Sequence, residues 1–149
     1  MNFAGDQIYH IYNRGNDSQK IFPLKKNYEY FLGKINSEIK PVCHILAYCL
    51  MPNHYHLLVY VSENCDALKM IQNQPMLARK IGTMQSSYTQ GINKQEKRTG
   101  SLFQQKSKAK YVDSNEYAAN CLHYIHQNPW RAKLVSKWRN GNIHPFVLT

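Results

Sequence analysis

Between Gln7 and Arg14 the chain alternates, with Ile8, His10 and Tyr12 on one side and Tyr9, Ile11 and Asn13 on the other. Successive side chains of a strand point to opposite faces, so this octet predicts a first strand. The turn-forming run Asn13-Arg14-Gly15-Asn16-Asp17 ends it. The period then changes. Tyr28, Phe31, Leu32, Ile35 and Ile39 recur at helical spacing as one apolar stripe. They predict a helix capped by Asn27, running to about Lys40 and stopped by Pro41. Val42 to Leu50 and His54 to Val61 read as two strands, joined at Pro52-Asn53 as a hairpin.

The second half repeats the alternation of periods. Pro75 suits the first turn of a helix, where its missing donor would have no partner anyway. From there Leu77, Ile81, Met84, Tyr88 and Ile92 mark a second amphipathic helix. Asn93 to Gly100 is charged and reads as a loop. Leu102 to Tyr111 alternates again, with Lys106, Lys108 and Lys110 on one face and Phe103, Ala109 and Tyr111 on the other. Asp113 followed by Glu116 has the pattern of a capping box. The helix it opens carries Tyr117, Cys121, Tyr124 and Asn128 along one face, and Pro129 disfavours helical geometry at Asn128. Trp130 to Thr149 is basic, holds two tryptophans and yields no placement.

The order strand, helix, strand, strand, helix, strand, helix predicts an α+β fold. It is that of a ferredoxin-like or RRM-like antiparallel sheet, with helices on one face and an added C-terminal helix. At 149 residues the chain suits one domain, spanning residues 1–149, with a core of its own.

Charge narrows the partner. Nineteen Lys and Arg against nine Asp and Glu give a formal +10. Such an excess points to a polyanion, with nucleic acid ahead of an anionic membrane. Eleven tyrosines and two tryptophans are interleaved with the basic residues, and aromatic faces beside cations suit unpaired bases on a charged backbone. No segment is apolar enough to span a membrane and no secretory signal opens the chain, so a cytoplasmic location is expected. Cys43, Cys49, Cys65 and Cys121 show no C-x-x-C spacing and read as reduced thiols.

The chemistry begins at His54 and His56. On a strand, positions i and i+2 share a face about 7 Å apart along the chain, so both imidazoles aim the same way. Tyr55, Leu57, Val59 and Val61 then face a core. Two imidazoles do not fill a metal site, and by itself such a pair is more often only a polar row on a solvated face. Arg14, at the end of the first strand, is placed for a phosphate contact or simply for solvent. The lysine row reads either as phosphate-tracking or as protection of an edge strand.

Two motifs in combination carry a family resemblance. Leu50-Met51-Pro52-Asn53-His54-Tyr55-His56-Leu57-Leu58-Val59 resembles the HUH segment of the single-tyrosine transposases. Tyr124-Ile125-His126-Gln127-Asn128-Pro129-Trp130-Arg131-Ala132 resembles the tyrosine helix of the same family. Tyr9-His10-Ile11-Tyr12-Asn13-Arg14-Gly15 and Gly100-Ser101-Leu102-Phe103-Gln104 also look like family signatures. The resemblance runs from about residue 7 to residue 135 and is nearest to the REP-associated branch. It implies a catalytic metal held by His54 and His56 and a nucleophile at Tyr124. Asn128 stands where many relatives place a glutamine as third ligand. Mg²⁺ or Mn²⁺ is the metal expected, although ligand type alone also admits zinc. The implied reaction is attack of the tyrosine oxygen on single-stranded DNA beside a hairpin, with a 5′-phosphotyrosine intermediate. Arg14, Lys106, Lys108, Lys110 and Arg131 are the candidate DNA contacts, and a homodimer is expected. Two other readings remain: a replication-initiator-like nicking enzyme, and a domesticated protein that binds hairpins without cutting them.

Overall fold

The structure, a computed structural model, describes residues 1–121, 123 and 147–148. Strand β1 (Gln7–Arg14) leads to helix α1 (Lys25–Lys34), which continues into one π-helical turn, Ile35–Ile39. Strands β2 (His44–Met51) and β3 (His54–Val61) form the expected hairpin. A small ribbon follows, β4 (Met70–Ile71) with β5 (Gln74–Pro75), and then helix α2 (Met76–Glu96). Strand β6 (Lys108–Val112) precedes a third helix, α3, described over residues 115–121, and β7 (Val147–Leu148) lies beside β2. The main sheet runs β6-β1-β3-β2-β7 with all neighbours antiparallel. Its inner order, fourth strand beside first, first beside third, third beside second, is the ferredoxin-like split arrangement.

The sheet buries both faces. Towards α1 and α2 it presents Tyr9, Ile11, Leu50, Tyr55, Leu57, Val59 and Val61, and the helices answer with the apolar stripes that their periodicity predicts. Phe31 centres this core. Its ring lies 4.9 Å from Tyr88, 5.1 Å from Tyr55 and 5.2 Å from Phe22, edge-on or tilted, as aromatic quadrupoles prefer. Removing such a side chain from water stabilises the fold by about 1.5–3 kcal/mol. The opposite face carries a second, smaller cluster: Ala47, Cys49, Met51, Leu58 and Val112 pack under Cys121, Tyr117 and Ala118 of α3. The helices are thus divided between the two faces, two against one.

Several local expectations shift. Asn27 sits three residues inside the first turn of α1 rather than at its cap; its Oδ1 reaches back to accept the Leu24 N–H at 3.0 Å, and its Nδ2 donates to Gln95 at 2.9 Å. The second strand begins at His44, since the N–H groups of Val42 and Cys43 are taken by the Ile39 carbonyl. Helix α2 runs on to Glu96 because no breaker interrupts it, and it ends where Lys97 adopts a left-handed φ of 51°. The ribbon turns at Gln72 and Asn73, both at positive φ, the geometry of a tight two-residue hairpin.

The strand expected from Leu102 to Tyr111 begins only at Lys108. Leu102 and Phe103 are both buried, Phe103 makes only an isolated bridge to Gly15, and the Gln104 N–H bonds the Arg14 carbonyl at 2.9 Å. Lys106 therefore lies in a loop, off the face that Lys108 and Lys110 share. Helix α3 is capped by Ser114, whose Oγ accepts the Tyr117 N–H at 3.1 Å, rather than by Asp113. Among the described residues no helix is long and apolar enough to cross a membrane.

Candidate active-site cleft

Strand register builds the site. Tyr12 stands opposite His56 and Arg14 opposite His54 across β1 and β3, while Lys108 stands opposite Tyr12 across β1 and β6. Cross-strand partners share a face, so Arg14, Tyr12, His54, His56 and Lys108 all line one cleft of about 310 Å³, closed at its rim by Gln104. Lys110 follows on the same face beside His10. Arg14, Lys108 and Lys110 are exposed at the cleft and its flank, and exposed Lys106 lies outside it. Tyr124, Asn128 and Arg131 lie outside the described residues.

The floor is braced from the far side of the sheet. Asn13 is buried, and its Nδ2 faces Gln85 Oε1, the Gln104 carbonyl and Ser107 Oγ at 3.1–3.3 Å. Gln85 in turn donates to the Tyr55 hydroxyl and to Ser107. The Gly15 N–H bonds the Asn53 carbonyl at 2.9 Å, and a Cβ on Gly15 would come within 2.2 Å of the Gln19 carbonyl oxygen. These contacts hold the end of β1, the start of β3 and the 104–107 loop as one unit, as a preorganised site requires.

Three histidines meet here. The His54 and His56 ring centroids are 5.1 Å apart and nearly perpendicular. His54 Nδ1 lies 2.7 Å from Asn53 Oδ1. His56 Nδ1 lies 2.9 Å from Nε2 of His10, whose ring centroid is 5.1 Å away with 28° between the planes. His10 and His56 are only 9 % and 7 % exposed, so the imidazoles do not all stand on an open polar row.

Burial pushes the His56 imidazole down to about 3, with His10 and His54 adding to the effect, and His10 to about 4, with Lys110 adding. His54 is lowered by burial and then by Arg14. All three are neutral near pH 7, the form that ligates a metal. In the unfolded chain the same groups take up protons as the pH falls through 6.5. Stability should therefore be insensitive to these groups above that value. It should fall as the pH drops toward 4, by up to about 1.4 kcal/mol per pH unit for each of His10 and His56. Urea unfolding across this window checks it; a flat profile would contradict the burial of the pair.

Among the described residues of the cleft, His54 and His56 are groups that could hold a cation. Two neutral imidazoles, one with Nδ1 against an amide oxygen, suit a divalent cation. No group of three or more His, Cys, Asp or Glu able to hold one occurs among the described residues. Tyr12, Asn13 and Gln104 in the cleft, and His10 beside it, were not among the site residues that sequence reasoning singled out. The alternation of β1 placed His10 and Tyr12 on one face, but only the pairing of β1 with β3 brings them to His56.

The chain matches the model of the family described as Transposase IS200 like over residues 4–128. A Haemophilus influenzae protein named as a candidate REP-associated tyrosine transposase is 23% identical over 124 residues, covering 76% of this chain and 69% of the relative. A solved structure described as a REP-associated tyrosine transposase bound to a REP hairpin is similar with a TM-score of 0.71. It is 14% identical and covers 99% of this chain and 79% of that one, so this likeness concerns the fold.

Proposed function

Since this chain belongs to the IS200-like transposase family, we propose that it is a metal-dependent single-stranded DNA endonuclease and strand transferase that acts on hairpin DNA. The observation that carries the reading is the cleft itself, where two neutral histidines, Arg14 and Lys108 converge beside Tyr12. Cationic side chains over a braced floor suit a phosphodiester, and Tyr12 offers a ring face to an unpaired base. The DNA named in the solved relative, a REP hairpin, is the substrate class we assign here.

In this reading the Tyr124 oxygen attacks phosphorus and loses its proton to solvent. The bond from phosphorus to the 3′ oxygen breaks and that oxygen takes a proton from solvent, leaving a 5′-phosphotyrosine and a free 3′-hydroxyl, and the covalent link keeps the bond energy for rejoining. His54, His56 and Asn128 would hold Mg²⁺ or Mn²⁺, which when bound supplies positive charge to the phosphoryl oxygens. Arg14, Lys108 and Lys110 hold the backbone, and Lys106 and Arg131 are further DNA contacts. A second copy of the chain is the expected protein partner.

The test is incubation with hairpin oligonucleotides that carry unpaired flanks, in Mg²⁺, followed by a denaturing gel. A protein–DNA band that survives denaturation is expected. Tight hairpin binding without any such band would replace the enzyme with a non-catalytic binder.

Binding should weaken steeply with added salt, because each neutralised phosphate releases counterions. Changing Lys106, Lys108 and Lys110 together to Ala should flatten the plot of log affinity against log salt by about 0.7–0.9 for each phosphate no longer neutralised. An unchanged slope would take this segment out of the DNA-binding surface.

A further inference from the structure

We infer that His10 is a positioning residue for His56: its Nε2 accepts the Nδ1–H of His56 and so sets the tautomer and ring plane in which His56 offers Nε2 to a cation. The inference rests on the metal reading of His56 above, and adds a residue that the two sequence motifs leave out.

The geometry has three parts. The nitrogens are 2.9 Å apart, a hydrogen-bond distance too short to hold an ion between them. The ring centroids are 5.1 Å apart with 28° between their planes, so the rings meet edge to edge as a hydrogen bond between ring nitrogens requires, and both are buried, which shields the contact from competing water. His10 reaches His56 diagonally, since its own cross-strand partner is Leu58 and Tyr12 stands opposite His56. Strand pairing thus fixes where the acceptor sits.

The direction of the proton follows from a comparison within the site. His54 has its Nδ1 2.7 Å from Asn53 Oδ1, and an amide oxygen only accepts. That bond puts the His54 proton on Nδ1 and the lone pair on Nε2. If His56 is to ligate beside it, its own proton must also sit on Nδ1, and His10 Nε2 must then be the acceptor. His10 carries its proton on Nδ1, which faces Cys121 Sγ at 4.0 Å, where sulfur serves as a weak acceptor. With the opposite polarity, a proton given by His10 to His56 Nδ1 would leave His56 protonated on Nε2 and unable to bind a metal. A hydrogen bond to the remote nitrogen of a ligating imidazole also raises its basicity and holds its plane.

The first readout needs no variant. Long-range ¹H–¹⁵N spectra of the metal-free protein report which ring nitrogen of each histidine carries the proton. His56 and His10 are both expected as Nδ1–H tautomers, and His56 protonated on Nε2 would overturn the inference. The second readout is Mn²⁺ affinity, from the spin-resonance signal of the unbound ion. His10→Phe keeps a ring but removes the acceptor and should weaken binding by about 10- to 100-fold. His10→Gln places an amide oxygen near the position of the missing Nε2 and should recover most of it. His54→Ala is the control for the metal reading itself. If it binds Mn²⁺ like the wild type, the metal assignment fails and takes the role of His10 with it. If it binds weakly while His10→Phe binds normally, only the role of His10 is overturned.

Discussion

Tyr124→Phe is expected to abolish strand cleavage and the covalent protein–DNA adduct together, by about 10⁴-fold or more, as removal of a nucleophile does. The substitution deletes one oxygen and keeps the ring, so folding and hairpin binding should survive. The structure supplies sharper controls than sequence spacing did. Tyr12 lines the cleft, its ring 5.9 Å from that of His56 and 4.9 Å from that of His10. It is the rival nucleophile among the described residues. Tyr117 borders the neighbouring hollow with His10 and Lys110, and burial pushes its phenol up, away from the ionised form. Tyr111 stands opposite Tyr9 and so faces away from the histidines. Tyr12→Phe and Tyr117→Phe should both still form adduct. Peptide mapping of a trapped adduct decides between them: DNA on Tyr12 or Tyr117 would move the nucleophile and leave the cleft assignment standing.

His54→Ala and His56→Ala should each reduce cleavage to background, with EDTA reproducing the loss and Mg²⁺ or Mn²⁺ restoring the wild type. Full cleavage in EDTA would remove the metal from the mechanism. The two variants part company in stability. His54 is half-buried, and its mutation gives up the hydrogen bond to Asn53, at a cost of about 0.5–1.5 kcal/mol. His56 is buried, hydrogen-bonded to His10 and opposite Cys49 of the second apolar cluster. Its removal leaves a cavity and a buried His10 nitrogen without its bond, at a cost of roughly 2–4 kcal/mol. Denaturant unfolding of both variants checks this order. The strand pattern puts both imidazoles on the face away from the first core; the structure leaves His54 half-buried there and buries His56. His54→Ala is therefore the cleaner probe of the chemistry.

Local pattern carried much of this molecule. The alternation of Gln7–Arg14, the helical stripes around Phe31 and Ile81 and the hairpin around Pro52-Asn53 were legible because each follows from which side of one element must be apolar. The family was legible from the resemblance of Leu50–Val59 and Tyr124–Ala132 to its motifs, because such motifs are residue types at fixed local spacing. Misread stretches were those with no period of their own. The ribbon Met70–Pro75 is too short to alternate, and residues 102–107 are shaped by long-range bonds to Arg14 and Asn13 rather than by their neighbours. Pairing between strands lay further out of reach. A register shift between Ile45 and Ala47 reverses which residues of β2 face the helices, and so places Cys49 and Met51 opposite His56 and His54. The register of β1 against β3 brings Tyr12, Arg14 and His10 to the same place, forty or more positions from the histidines in sequence. A side chain's face is a property of its own strand, set within a few residues. Its cross-strand neighbour depends on where two distant segments align, and that alignment is chosen by the packing of the whole core.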